Sequence, residues 1–292
     1  MWRNPRNPEG SLPRCTTFVT TGCIFCHLPG DRSSGTLELS YYKAVKCVKL
    51  WQGFVLLLVY SWLGYFPAKA LGIPWDVRSR VFVGLLTLVL AAVLLAPLKP
   101  AGLRALFRVR RPLLPWTAAL LAGMLLFSQL SVLLAMLFAS EADAKSLTDG
   151  TLPFQVLAIA VLGPLCEELI YRGGLTQGLC ARIPWKEGIV LSAVAFMIGH
   201  PWFQIPQTLL IGLVLGYLCW YTGSLGYGIL IHILFNGLLF LYPSSAALLE
   251  WNRVAAILLS LGIVAAGLAL TLWALRGFTR CADRLQVTEA SP

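Results

Sequence analysis

The sequence predicts an all-α fold, a polytopic bundle of about eight membrane-spanning helices. Three observations carry that prediction. The chain has 292 residues, is 58% hydrophobic and only 12% charged, and has a mean hydropathy of +0.74. The apolar residues gather in long runs, and the basic residues cluster in short segments between them. This composition excludes a water-soluble domain. The net charge of +10 follows the pattern of membrane topology, so no nucleic-acid partner is expected.

Residues 1–40 are rich in Pro, Gly, Ser, Thr and Arg and read as an irregular extension. They lack the apolar core of a cleavable signal peptide. Cys23-Ile24-Phe25-Cys26-His27 matches the pattern of covalent haem attachment, and with Cys15 it could supply four zinc ligands. A chance match in an irregular tail is the expectation, and a true start near residue 40 is an alternative reading. The cysteines from Cys47 onward are isolated and lie in or beside apolar runs, with no disulfide framework.

Lys43, Lys46 and Lys49 precede the first run, Trp51–Phe66, and place the N-terminus in the cytoplasm. The second run is Val81–Leu98. The loop after it carries Lys99, Arg104, Arg108, Arg110 and Arg111 and belongs inside. The third, Leu113–Ala139, ends in an acidic loop with Glu141, Asp143 and Asp149. The fourth begins near Pro153, and Arg182 and Lys186 follow it. The fifth is Gly188–Phe203. The sixth, Pro206–Thr222, holds Gly212-x-x-x-Gly216, a close-packing motif. The seventh is Leu225–Tyr242. The eighth, Arg253–Leu275, is followed by Arg276, Arg280 and Arg284. Eight crossings put both termini in the cytoplasm. One loop disagrees: Pro67–Arg80 should lie outside, yet it holds Lys69, Arg78 and Arg80 against Asp76 alone.

Inside the apolar runs the ionisable residues, cysteines and tyrosines aside, are Glu167, Glu168, Arg172, His200 and His232. An acid at the centre of a membrane helix costs about 2.5–3.5 kcal/mol on insertion scales, and such residues face the bundle interior. Glu168 and Arg172 stand at i,i+4 with the acid first, the better order for an ion pair. His232 and Asn236 share one helix face, as do Phe196 and His200. Glu167 lies about 100° around the helix from Glu168, so the two carboxylates have separate tasks. If the fourth helix runs to Ala181, Glu167 lies about 20 Å from its basic end, His200 roughly 17 Å deep and His232 roughly 10 Å deep. The bundle is then expected to enclose one intramembrane catalytic cavity.

A desolvated carboxylate suits a general base, an imidazole can share the attacked water, and a His and an Asn on one face can donate to an oxyanion. These are parts for hydrolysing an amide without a covalent intermediate. Two histidines with a carboxylate could instead hold Zn²⁺ at Glu167, His200 and His232. A proton or ion pathway in a transporter and a non-catalytic receptor or immunity protein are the readings from other classes.

Glu167-Glu168-x-x-x-Arg172, Phe196-x-x-x-His200 and His232-x-x-x-Asn236, with Thr222-Gly223-Ser224-Leu225 before the last, resemble the motif set of the CPBP family. These are the CAAX-processing and bacteriocin-processing intramembrane endopeptidases, also called the ABI family. The resemblance covers roughly residues 150–240. It implies an all-helical membrane core with Glu167 as base and His200 as its partner on the water. His232 and Asn236 become the oxyanion site, and Glu168 and Arg172 orient and charge-balance the first motif. The implied organisation is an extension at 1–40, N-terminal helices over 41–150, a CPBP-like core over 151–242 and a last helix with a basic tail over 243–292. The expected substrate is a membrane-associated protein or peptide, of CAAX, bacteriocin or sorting-tail type. The expected location is a bacterial inner membrane, and no cofactor is expected, with zinc the alternative.

Overall fold

The structure of the protein is a computed structural model that describes residues 50–63, 77–96, 100–138, 152–240 and 252–290. All of these fall in the compact unit Asp31–Pro292. The Cys15, Cys23, Cys26 and His27 set lies outside the described residues. Among the described residues every regular element is a helix, as the composition predicts. The elements are α1 (Leu50–Leu58, passing into a wide π turn at Val59–Leu63), α2 (Val77–Leu95), α3 (Pro100–Leu106), α4 (Leu114–Phe127), α5 (Gln129–Phe138), α6 (Leu152–Cys180), α7 (Trp185–Met197), α8 (Ile205–Thr222), α9 (Gly226–Leu239) and α10 (Arg253–Ala290). Each of the eight apolar runs yields helix. Five spans are long and apolar enough to cross a membrane: Arg78–Leu95, Arg104–Phe138, Leu152–Cys180, Trp202–Thr222 and Arg253–Leu285. Large apolar side chains such as Phe82, Val89, Leu258 and Trp273 stand on the outer surface, where a bilayer would cover them. The protein is an integral membrane protein.

α6 runs unbroken to Cys180, the extension that brings the predicted polar residues to one depth. It is not a plain α-helix. Pro164 has no N–H with which to bond the carbonyl of Ala160. The preceding residues Val156–Leu162 adopt the wider π pattern, and Gly163 N–H bonds Ala158 O, five residues back. A second π segment, Glu168–Thr176, begins at the second glutamate.

Small residues let the helices touch backbone to backbone, the packing mode available where lipid removes the hydrophobic drive between helices. A Cβ on Gly53 of α1 would stand 2.6 Å from the Cα of Gly174 in α6. One on Gly212 of α8 would stand 2.9 Å from the Cβ of Ala193 in α7, so the small-residue motif of the sixth run does pack closely. One on Gly123 of α4 would stand 2.8 Å from the backbone N of Thr271 in α10. The α1–α6 contact fixes an antiparallel register. Leu50 meets Gly178, Gly53 meets Gly174, and the Tyr60 hydroxyl comes to 3.8 Å from a Cβ placed on Gly163.

The start of α9 is pinned from another part of the chain. Gly223 closes α8 in the left-handed conformation, φ 65, with its N–H on Cys219 O at 2.9 Å. Ser224 Oγ then donates to Arg108 O at 2.7 Å, and Leu225 N–H to Leu106 O at 2.7 Å. The end of α3 thereby sets the rotation of α9 about its axis, and with it the direction of His232.

Candidate functional site

Glu167 ends a regular turn of α6 and Glu168 begins the wide one. Their carboxylates part accordingly. Glu168 is fully enclosed, whereas the Glu167 side chain keeps 18% of its surface open. Glu168 Oε1 lies 3.3 Å from Arg172 Nη1 and accepts from His232 Nδ1 at 3.0 Å. The Arg172 guanidinium sits 4.3 Å above the centre of the Phe196 ring, a cation–π contact in a dry setting. The i,i+4 ion pair predicted from spacing is therefore present, and it is buried at both ends.

His232 is held between both glutamates. With Nδ1 donating to Glu168, its Nε2 is left facing Glu167 Oε2 at 3.6 Å, longer than a hydrogen bond. The sequence reading makes His200 the partner of Glu167 on the water; the imidazole that the structure sets beside Glu167 is that of His232. His200 belongs to no helix. α7 ends at Met197, because Gly199 and Pro201 flank the histidine and a residue before proline avoids the helical conformation. Its link to Phe196 survives by a different route. The rings lie 4.8 Å apart, and His200 Nδ1 donates to Phe196 O at 3.0 Å, leaving Nε2 as an acceptor. Phe196 also meets His232 edge-on at 5.8 Å, so both histidines contact one ring.

Asn236 Nδ2 donates to Ile159 O at 2.9 Å. That carbonyl lies in the first π segment. Gly163, its donor in an α-helix, bonds Ala158 instead, and Pro164, its donor in the π pattern, has no N–H. Asn236 satisfies an acceptor that the backbone cannot, and it keeps a second N–H and its Oδ1 for other use. Asn236→Leu is expected to cost about 1–3 kcal/mol by stranding the Ile159 carbonyl. Thermal unfolding in lipid nanodiscs checks this, and an unchanged transition would remove the tie.

Gly228 was not singled out from the sequence. It lies one turn before His232 on the same face, and a Cβ there would strike Glu168 Oε2. The missing side chain is the space the carboxylate occupies. Gly228→Ala gains about 1 kcal/mol of helix propensity. We expect the collision with a carboxylate held by Arg172 and His232 to outweigh it, at about 1–3 kcal/mol. Thermal unfolding below wild type, with hydrolysis reduced, is the expected pair of results.

The zinc alternative requires Glu167, His200 and His232 to converge on one point. His200 Nδ1 is engaged by the Phe196 carbonyl at 3.0 Å. Among the described residues no three His, Cys, Asp or Glu side chains converge in a way that could hold a metal ion.

Residues 149–238 match the family model described as type II CAAX prenyl endopeptidase Rce1-like. This is the segment over which the motif resemblance was drawn, and the resemblance is borne out. The family is one of CAAX proteases, hydrolases of peptide bonds. No curated protein and no solved structure matches the chain.

Proposed function

We infer that this chain, whose residues 149–238 form an Rce1-like CAAX protease segment, is an intramembrane endopeptidase that uses Glu167 to activate water against a peptide bond of a membrane-associated substrate. The observation that carries the roles is the difference between the two carboxylates. Glu168 is sealed and engaged on one oxygen by Arg172 and His232, so it positions. Glu167 is open on one edge and has His232 Nε2 as its polar contact, so it reacts.

In this reading water lies between Glu167 and the substrate carbonyl, with His200 Nε2 as a second acceptor for it. Glu167 takes one proton as the oxygen adds to the carbonyl carbon. The oxyanion is met by the free N–H of Asn236. The C–N bond then breaks, and the proton held by Glu167 passes to the leaving nitrogen. His232, fixed in orientation by Glu168, borders Glu167 on the side away from the open edge. The bilayer is that of a bacterial inner membrane, with the basic ends of α4, α7 and α10 in the cytoplasm.

The test is mapping of peptide termini by mass spectrometry. Membranes of cells carrying wild type are compared with those carrying Glu167→Gln at matched level. New termini found only with wild type name the substrate. Identical termini, with both proteins folded, would refute the endopeptidase reading.

A further inference from the structure

The basic end of α10 carries a groove that the hydrolysis does not use. Between Arg253 and Arg276 that helix has 22 residues without a charge, Val254–Leu275. They span about 33 Å, against about 30 Å for the hydrocarbon core of a bilayer. Arg276 thus stands at the polar edge. Arg280 lies about 6 Å beyond it, in the headgroup layer, and Arg284 leans back toward that layer from the next turn, as helical side chains do.

Gly277, Arg280, Cys281 and Arg284 stand at i, i+3, i+4 and i+7, on one stripe of α10. With Trp116 of α4 they line a cavity of about 250 Å³. A Cβ on Gly277 would strike the Trp116 ring, so the indole is seated against the α10 backbone and floors the groove. Its ring centre lies 5.0 Å from that of Trp273, which is exposed on the outer surface. Tryptophans at this level form the aromatic belt of a membrane protein. The Cys281 thiol donates to Pro112 O at 3.6 Å, which brings Arg111 to the height of the groove. The acid of this turn, Asp283, is engaged elsewhere, since the Tyr221 hydroxyl of α8 donates to it. The lining therefore carries two positive charges and no negative one.

Two guanidinium groups one turn apart call for an anion. At this depth the anion present in quantity is the lipid phosphate, and basic pockets between membrane helices hold anionic headgroups. A guanidinium meets phosphate oxygens through paired hydrogen bonds. A zwitterionic headgroup brings its own cation and leaves the second arginine unmatched. The indole offers an apolar face to the lipid glycerol and a belt position at the water boundary.

We propose that the groove between α4 and α10 binds the headgroup of an anionic phospholipid, seated on Trp116 and held by Arg280 and Arg284. This stands apart from the hydrolase reading and rests only on the membrane placement of α10.

The test counts lipid. Full-length protein is placed in nanodiscs of phosphatidylcholine and phosphatidylglycerol in equal parts, and the lipids that stay bound after transfer to detergent are counted by native mass spectrometry. Phosphatidylglycerol should be retained about tenfold over phosphatidylcholine, the scale set by two arginines at an anionic surface. Arg280→Gln/Arg284→Gln should erase the preference. Both side chains are exposed, so this variant should unfold at the wild-type temperature in phosphatidylcholine alone. Phosphatidylglycerol should raise the unfolding temperature of wild type and not that of the double variant. Arg253→Gln takes a charge from the opposite end of the same helix and should keep the preference. Equal retention of the two lipids by wild type, a preference that survives the double substitution, or one that Arg253→Gln removes as well overturns the proposal. So does inorganic phosphate that stabilises wild type in phosphatidylcholine nanodiscs as much as phosphatidylglycerol does, which assigns the groove to a soluble anion.

Discussion

Glu167→Gln is expected to lower turnover of the reconstituted protein by a factor of about 10²–10⁴ while leaving its unfolding temperature unchanged. Both halves of this expectation come from the geometry. Glutamine keeps the length and polarity of the side chain and removes only its capacity to take a proton. The one polar contact at stake is to His232 Nε2 at 3.6 Å, too long to contribute much to folding. The measurement is kcat on the peptide identified by terminal mapping, beside a melting curve in the same lipid. Glu168→Gln serves as the contrast, because it weakens a fully enclosed carboxylate and should lower both readouts. A fully active Glu167→Gln protein would remove Glu167 from the chemistry.

Arg172→Ala should instead act on folding, at about 3–5 kcal/mol. The loss has three parts. Glu168 is left as an enclosed carboxylate with His232 alone, Phe196 loses the cation above its ring, and a cavity opens where one of the largest fully buried side chains stood. The measurement is denaturant unfolding in detergent micelles. The pair nature of the effect is checked by Glu168→Gln/Arg172→Met, in which neither charge remains. That double variant should recover most of the stability and none of the alignment of His232. A single Arg172→Ala protein as stable as wild type would remove the Glu168–Arg172 pair from the stability of the fold.

Much of this was legible in the sequence, because the membrane enforces simple rules. Each apolar run had to become a helix, since its backbone groups have no other partners in lipid. The Glu168–Arg172 pair followed from i,i+4 spacing and from the cost of burying either alone. The rest depended on departures from the ideal helix. Pro164 carried a visible signal for the wide turn, and reading it would have assigned Asn236 a backbone partner in advance. Gly199 and Pro201 likewise announced that α7 stops short of His200. The approach of His232 to Glu167 was not readable, because it depends on the rotation of α9, which Leu106 and Arg108 set from over a hundred residues away. Gly228 was invisible for a similar reason: its meaning lies in the carboxylate that stands opposite it.

The sealed pair of Glu168 and Arg172 bears on how descendants of this chain can change. Replacing either one strands a charge, while replacing both together is close to neutral, so the two positions are separated from other states by a fitness valley that single mutations must cross. Glu167 has no such guard, since its carboxylate stands open and its loss leaves the fold intact. A lineage that abandons hydrolysis should therefore shed Glu167 early and retain Glu168 and Arg172 long afterwards. A copy of this gene with that combination would be a former enzyme preserved for its shape.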